Sequence, residues 1–224
     1  MSTREESWAR LAAAAWLSDG TVSRAMADAG ATPQALSGGA YSTIADEYKI
    51  IATRMPPSVS PEAVVEGFAD SPNGAVRSGM FNTINVFRRR SPGTPPRVGE
   101  IYDIDLVGPD NGAVMIVRLS EGFGEPRSRP DTWFDVQAIE TPEHGTLPEY
   151  GAREFGFERE AGGGIAFYTR GVSRARDILV GVFGKVPQQL GWRAAFGGLR
   201  DVLRSQGGEV GAEVVRNFRV TPGG

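Results

Sequence analysis

The sequence predicts an α+β fold, in which a helical N-terminal region precedes a curved antiparallel sheet packed on a long C-terminal helix. The first observation is a change of hydrophobic period. Apolar residues recur at helical spacing up to about residue 90, every second residue from about 100 to 171, and at helical spacing again afterwards. The second observation is a break in the chain, where Arg88-Arg89-Arg90 and the following Ser-Pro-Gly-Thr-Pro-Pro favour an extended linker. We therefore expect two domains, a helical region at 1–90 and a sheet with its helix at 97–224.

The composition excludes several classes of function. The 224 residues are 40% apolar and 23% charged, as in a globular chain, and folding would bury roughly 70% of the surface. The absence of cysteine excludes disulfides, thiolate nucleophiles and iron–sulfur clusters, and a single histidine excludes any site that needs two imidazoles. A net charge of −3 provides no electrostatic footprint for nucleic acid. We expect no nucleic-acid partner, no cofactor and no metal.

No segment of the sequence predicts a transmembrane span. The apolar stretch at residues 11–17 is far shorter than the roughly 20 residues that cross a bilayer. The residues before it carry both acid and base, and no typical cleavage site follows, so the stretch is not typical of a signal peptide. The expected compartment is the cytoplasm.

The first 30 residues predict two helices. Ser2 or Thr3 caps the first, whose apolar stripe ends at Asp19-Gly20, and Thr21 caps the second. Each cap supplies a side-chain oxygen to the free N–H groups of a first turn. These helices open the N-terminal region.

Two more helices are expected before the linker. In residues 39–54, Ile44, Tyr48 and Ile51 recur at helical spacing, and two prolines follow. Ser60-Pro61 then provides an N-cap followed by proline at the first helical position.

Alternation predicts strands in the second region. Tyr102, Ile104 and Leu106 share one face of the first strand, with Asp103 and Asp105 on the other. A hairpin turn at 108–112 follows, because Asn-Gly supplies positive φ angles. The strand segments are residues 100–107, 113–119, 132–141, 151–160, 165–171 and a last short one at 213–220.

The last helix is expected to start after Ser173, which we interpret as its N-cap. Its apolar stripe begins at residue 178 and continues to Leu203, with Pro187 expected to kink or split it. Gly207-Gly208 ends the helix.

Most polar candidates have an ordinary structural interpretation. Asp103 and Asp105, like Glu154 and Glu158, have the spacing of a solvated strand face, which we favour over a cation site. His144 is expected to be an exposed loop residue rather than a general base. The arginine run is interpreted as a solvated segment end rather than a phosphate patch, and the glycines at 162–164 as a hairpin loop.

The most informative feature is a set of aromatic residues on successive strands, Phe134, Phe155, Phe157 and Phe167. Alternation directs them toward the helix. They predict either a solid core or a cavity between sheet and helix, and the sequence supports the two about equally.

Three runs of residues carry a resemblance to a known family: Gly-Thr-Leu-Pro at 145–148, Gly-Ala-Arg-Glu-Phe-Gly-Phe-Glu at 151–158 and Ile-Ala-Phe-Tyr-Thr-Arg-Gly-Val-Ser-Arg-Ala at 165–175. Together with the helix that follows, they resemble an uncharacterised branch of the START-like, or helix-grip, superfamily. The resemblance covers residues 97–206. It implies a curved antiparallel sheet around the C-terminal helix with a hydrophobic cavity between them. The superfamily mixes lipid carriers, polyketide aromatases and cyclases, hormone receptors and oxygenase subunits, so the resemblance transfers no catalytic residue.

Three hypotheses follow. The leading one is binding of a hydrophobic small molecule or lipid-like ligand in a cavity between sheet and helix. The second is a cofactor-free cyclase or isomerase that uses the same cavity, with Tyr168, Arg170 or His144 as polar donor. The third is an interaction or assembly module with a filled core, in which residues 1–90 dock a protein partner or a second copy. The candidate ligand-binding residues are Tyr102, Phe134, Phe155, Phe157, Phe167, Tyr168 and Arg170.

Overall fold

The computed structural model describes residues 3–75, 87–104, 112–125, 131–176 and 185–220. The helices are α1 (Arg4–Ala13), α2 (Gly20–Asp28), α3 (Pro61–Asp70), α4 (Pro72–Ala75) and α5 (Lys185–Ser205). The strands are β1 (Thr32–Pro33), β2 (Thr43–Arg54), β3 (Phe87–Arg89), β4 (Ile101–Ile104), β5 (Gly112–Leu119), β6 (Asp131–Glu140), β7 (Glu149–Arg159), β8 (Ile165–Ala175), β9 (Glu209–Val210) and β10 (Val214–Val220). This is the α+β class that the sequence predicts, with a long antiparallel sheet and a C-terminal helix.

The N-terminal helices begin at the kind of cap that the sequence indicates. Thr3 and Glu6 form a capping box around the first turn of α1, with the Glu6 carboxylate accepting from the Thr3 N–H at 2.7 Å. The helix ends earlier than expected, because Ala14 adopts a left-handed conformation with φ of 45° and a 3₁₀ turn follows. The cap of α2 is Asp19 rather than Thr21, since Asp19 Oδ1 accepts from the Thr21 N–H at 2.7 Å.

The predicted helix over residues 39–54 is wrong, because this segment forms strand β2 between β10 and β8. Tyr48 and Ile50 are buried on one face of β2, and Ala45 is buried on the other. A strand that is covered on both faces carries apolar residues at odd and even positions. In β2, apolar residues at odd and even positions produce the three- and four-residue spacing that is typical of a helix.

The order of strands across the sheet is β10-β2-β8-β7-β6-β5-β4-β3. The two-residue strands β1 and β9 pair in addition with β6 and β2, and every pair is antiparallel. Strand β2 precedes the expected linker, yet it pairs with β8 along nine residue pairs from Ile44↔Ser173 to Ala52↔Ile165. The segments on the two sides of the linker therefore share one sheet. That residues 91–97 form an accessible linker stays a prediction.

The strands expected at 113–119, 132–141, 151–160, 165–171 and 213–220 are confirmed as β5, β6, β7, β8 and β10. Strand β8 continues past residue 171, and Ser173 pairs in it with Ile44 and Gly151, so the prediction that Ser173 caps a helix is wrong. The turn residues 108–111, Asp105, Leu106 and the apolar stripe at 178–183 lie outside the described residues.

Pro187 lies within the described part of α5, Lys185–Ser205. The residues 177–184 that precede it lie outside the described part of the chain, so the expectation that Pro187 kinks or splits the last helix stays a prediction. The helix ends as expected, with Gly207 at φ of 92° and the Gly208 N–H bonded to the Leu203 carbonyl at 2.9 Å.

The sheet is covered on both faces. We call the face toward α3 and α5 the aromatic face, since Phe134, Phe155, Phe157 and Phe167 lie on it in one cluster with α5 residues. We call the opposite face the charged face, since Glu154 and Arg170 lie there beneath α1. The expectation that Phe155 and Phe157 face the C-terminal helix is confirmed. None of the helices in the described part of the chain has the length and apolar character that a bilayer crossing requires.

The packing of the aromatic face generates a stability prediction. Phe157 is fully buried and contacts Phe167, so Phe157→Ala is expected to lower the free energy of unfolding by about 3–5 kcal/mol. Phe218→Ala is the matched control, because Phe218 is 48% exposed and its loss is expected to lower stability by less than about 1.5 kcal/mol. Urea unfolding of both variants measures the difference. Equal losses would contradict the placement of Phe157 in the core.

The shared sheet generates a prediction for limited proteolysis. Arg97 and residues 92–95 are exposed, so trypsin is expected to cleave after Arg90 or Arg97 under native conditions. The two fragments are expected to stay together in size-exclusion chromatography, because β2 of the first pairs with β8 of the second. Protection of this stretch, or fragments that separate without denaturant, would count against the account.

Candidate functional site

The aromatic face gathers five of the seven residues that the sequence proposed for ligand binding. Tyr102, Phe134, Phe155, Phe157 and Phe167 come from β4, β6, β7 and β8, and all five belong to one buried cluster. Alternation explains the selection, because positions two apart in a strand point to the same side of a sheet. Helices α3 and α5 add residues to the same cluster.

Phe155 lies at the centre of a group of rings. Its ring stacks on Phe134 with centroids 5.1 Å apart and an interplanar angle of 19°. Phe68 of α3 lies 5.0 Å from it, and Trp192 of α5 lies 5.4 Å from it. One strand residue therefore joins the sheet to both helices that cover this face.

An ion pair is also buried on the aromatic face. Both carboxylate oxygens of Asp46 lie 2.8 Å from Arg153 Nη2, and Arg153 Nη1 donates to Thr169 Oγ1 at 3.3 Å. The guanidinium carbon lies 4.8 Å from the centroid of the Trp192 ring, in reach of a cation–π interaction. Gly171 makes room for this pair, because a Cβ atom there would lie 2.3 Å from Arg153 Nη2.

Three buried polar atoms on this side lack hydrogen-bond partners among the described residues. They are Trp192 Nε1, Thr132 Oγ1, which shares a face of β6 with Phe134, and Asp46 Oδ1, which is held by the ion pair with Arg153 alone. Tyr48 is not a base for this site at neutral pH, because burial, and next the Asp46 carboxylate, raise the pKa of its phenol to about 12. The site offers apolar surface, one balanced ion pair and one unused indole N–H donor.

Sequence reasoning missed Asp46, Arg153 and Trp192. Arg153 stands two residues before Phe155, so strand alternation could have placed it on the aromatic face. Trp192 belongs to the apolar stripe of the last helix, and nothing local distinguishes it from a core residue. Asp46 lay in the segment that was assigned to a helix.

Tyr168 and Arg170, the other two proposed ligand-binding residues, lie on the charged face. Arg170 is 2% exposed and pairs with Glu47 and Glu158, at 2.8 Å in each case. Its guanidinium carbon lies 3.8 Å from the centroid of the Tyr168 ring. These two residues therefore hold the sheet together on the side away from α5.

The expectation that Glu154 and Glu158 are solvated fails for Glu154, which is 1% exposed, while Glu158 is half-buried. Helix α1 covers Glu154: Ser7 Oγ donates to its carboxylate at 2.9 Å, and Arg10 forms an ion pair with it. The carboxylate spacing matched a solvated strand face, and the covering helix comes from more than 140 residues away in sequence.

The interpretation of Asp103 as solvated is also wrong. Its carboxylate is buried and accepts from Arg88 Nη2 at 3.0 Å and from Arg90 Nε at 2.8 Å. Arg88 is exposed, as the interpretation of a solvated end expects, but it is paired, and Arg90 is half-buried. His144 is half-buried, with Nε2 3.3 Å from Asp103 Oδ1, and Glu143 completes a group with metal-ligand chemistry. Arg90 also pairs with Glu143 at 2.9 Å. A cation would have to displace these guanidinium groups.

The third arginine of that run is the buried one. Arg89 is 8% exposed, its Nη2 lies 3.2 Å from the Glu100 carboxylate, and its Nη1 pairs with Asp70. The prediction of a hairpin loop at residues 162–164 is confirmed, since they connect β7 to β8.

No protein-family model and no curated protein matches this sequence. Solved structures with a similar fold include that of Ara h 8.0201, which has 10% sequence identity and a TM-score of 0.43 over 73% of this chain and 99% of that one. An uncharacterised protein from Rhizobium leguminosarum has 13% identity and a TM-score of 0.40 over 73% and 98% of the two chains. A conserved protein from Geobacillus kaustophilus has 9% identity and a TM-score of 0.40 over 75% and 99%. At these identities the likeness concerns the fold alone and identifies neither a ligand nor a reaction.

The charged face generates a pH prediction that depends on Asp135. This residue is fully buried, opposite Glu154 in the β6–β7 register. Burial, and next the Glu154 carboxylate, raise the pKa of Asp135 to about 8, although Arg10 and Arg118 oppose the shift. The pKa of an aspartate in an unfolded chain is about 4. Between these values the folded state holds a proton that the unfolded state has lost, so stability falls as the pH rises from about 4 to about 8.

We expect Asp135→Asn, which has no proton to lose, to remove a slope of about 1 kcal/mol per pH unit from the free energy of unfolding. Asp201→Asn is the control, since Asp201 is exposed on α5. Urea unfolding at about pH 5 and about pH 8 measures the slope. An Asp135→Asn protein with the slope of the unmodified protein would contradict the assignment of the proton to this pair.

Proposed function

We propose that this protein binds a hydrophobic small molecule or lipid-like ligand between its aromatic face and helix α5. The observation that carries the proposal is the Trp192 indole, which lies against Phe155 and Phe87 with its Nε1 atom buried and without an acceptor among the described residues. Buried donors are nearly always hydrogen-bonded. An oxygen acceptor on a bound ligand would satisfy this one.

The rings supply the apolar part of the site. Phe134 and Phe155 present a stacked pair, and Phe68 extends it toward α3. Tyr102 contributes only its ring, because its hydroxyl donates to the Ala69 carbonyl of α3. Covering apolar surface of a ligand here would contribute roughly 25 cal/mol per Å² before the entropic cost of association.

The polar part of the site favours an uncharged acceptor. Asp46 already balances the charge of Arg153, so the buried pair carries no net charge for an anionic ligand to neutralise. A carboxylate would also lose its hydration among phenylalanine rings, which is costly without a cationic partner. A carbonyl or hydroxyl oxygen would meet the Trp192 N–H at less cost.

The enzyme alternative has less support than the sequence suggested. Its three proposed donors do not share the aromatic face: Tyr168 and Arg170 lie on the charged face, and His144 lies beside Asp103 in the loop between β6 and β7. An interaction module with a filled core makes a different prediction from ligand binding, since it leaves no space for an apolar probe.

A pair of matched tryptophan variants tests the proposal. The probe is prodan, a neutral naphthalene ketone whose fluorescence shifts to the blue in apolar surroundings. Trp192→Phe keeps an aromatic ring, smaller than the indole, and removes the donor, so we expect prodan to bind about 3- to 10-fold more weakly, which corresponds to one lost hydrogen bond. Trp16→Phe is the control, because Trp16 lies on the other side of the sheet and its Nε1 donates to Gln137 Oε1 at 3.3 Å.

The outcomes separate the alternatives. Blue-shifted binding that Trp192→Phe weakens and Trp16→Phe leaves unchanged supports the proposal. Absence of prodan binding by the unmodified protein contradicts it and favours a filled core. Equal binding by both variants would show that prodan sits elsewhere. Native mass spectrometry of the purified protein provides a second readout, with a co-purified apolar ligand as the expected result.

A further inference from the structure

The outer edge of β10 is a second feature that points to a binding role, independent of the aromatic face. The strand spans seven residues, Val214–Val220, and pairs with β2 on one side. It ends the order of the sheet, and no described segment pairs with its other side. Every second residue of such an edge presents its N–H and C=O groups outward. Long edges of this kind accept further strands unless proline, lysine, a bulge or a covering loop protects them, and β10 has neither proline nor lysine.

The edge carries unbalanced positive charge. Arg216 and Arg219 are both exposed, and neither has an acidic partner among the described residues. In the register with β2, Arg216 lies opposite Glu47, whose carboxylate is already paired with Arg170 at 2.8 Å. Arg219 lies opposite Ile44. Because the two arginines are three residues apart, they point to opposite faces of the sheet.

An aromatic patch adjoins Arg216 on the charged face. Phe218 is 48% exposed and packs edge-on against Trp8 of α1 with centroids 5.5 Å apart. Trp8 is fixed in place, because its Nε1 donates to the Asp46 carbonyl at 3.0 Å. Arg4 lies over both rings, 5.1 Å from the Trp8 centroid and 5.9 Å from that of Phe218. An apolar side chain on an incoming strand would find a supported ring there.

We propose that β10 docks an extended acidic segment of a partner protein, which adds to the sheet as a further antiparallel strand. Main-chain hydrogen bonds would provide the affinity, and the alternate side chains would provide the specificity. Arg216 and Arg219 select acidic residues three positions apart, and Phe218 selects an apolar residue between them. A second copy of this chain fits less well, because pairing β10 with itself would place four exposed arginines in one two-stranded ribbon. This inference goes beyond the proposed function and does not depend on it.

The probe is a fluorescein-labelled peptide, Thr-Glu-Val-Thr-Glu-Val-Thr. In one antiparallel register its glutamates lie opposite Arg216 and Arg219, and a valine lies opposite Phe218. Two control peptides carry lysine in place of both glutamates, or proline in place of the central threonine. The proline peptide keeps the charge and loses a main-chain donor. Fluorescence anisotropy with the full chain measures the affinity of each.

The charge-reversed variant Arg216→Glu/Arg219→Glu is expected to lose at least about tenfold in affinity for the glutamate peptide and to prefer the lysine peptide. The matched control, Arg24→Glu/Arg97→Glu, has the same change of net charge at two exposed residues away from β10. It is expected to bind as the unmodified protein does. Thermal unfolding checks that both double variants fold. If the charge-reversed variant does not fold, the single variants Arg216→Gln and Arg219→Gln are measured in its place.

Several results would overturn the proposal. The unmodified protein could fail to bind the glutamate peptide, or bind the lysine and proline peptides equally well. The two double variants could weaken binding equally, which would indicate a general charge effect. A concentration-dependent mass in sedimentation that Arg216→Glu/Arg219→Glu abolishes would show that a second copy occupies the edge.

Discussion

The two-residue alternation of β7 and β8 is the constraint on which the rest of the structure depends. It places Phe155 and Phe167 on one side of the sheet and Glu154 and Arg170 on the other. A slip of one residue would turn the charges toward α5 and the rings toward α1. Burying unpaired charges in an apolar cluster is costly. The rings on one face and the charges on the other therefore favour the same strand register.

The charged face ties distant parts of the chain together. Arg170 of β8 pairs with Glu47 of β2 and Glu158 of β7, while Arg10 of α1 pairs with Glu154. Removing one member of such a buried set is expected to destabilise by about 3–5 kcal/mol, because the remaining charge stays buried without compensation. The network therefore acts through position: it holds β2, β7 and β8 side by side, and the aromatic rings project from the reverse side of the same strands. The ion pairs of the charged face thus fix, from the opposite side of the sheet, the strands whose aromatic rings form the proposed ligand-binding surface.

The features that were predicted from the sequence are those that short-range interactions determine. The caps at Thr3 and Ser60, the later strands and the end of α5 all follow from short-range patterns, and the aromatic face follows from alternation. Strand β2 escaped prediction because a strand covered on both faces does not alternate.

The polar contacts could not be predicted for a different reason. Asp46 and Arg153 are 107 residues apart in sequence, and Glu47 and Arg170 are 123 apart. Glu154 looked solvated because nothing near it in sequence indicates that α1 covers it. Trp192 looked like one more apolar residue of its helix, and only its packed position reveals the unused donor.

The most direct measurement of the central claim is the indole N–H resonance of Trp192 in a ¹⁵N–¹H correlation spectrum, assigned from its absence in Trp192→Phe. The account predicts that addition of prodan moves this resonance downfield, as expected when an N–H gains an acceptor, and that it leaves the indole resonance of Trp16 in place. A Trp192 resonance that stays fixed while prodan binds would contradict the account, since the ligand would then lie away from the aromatic face and α5.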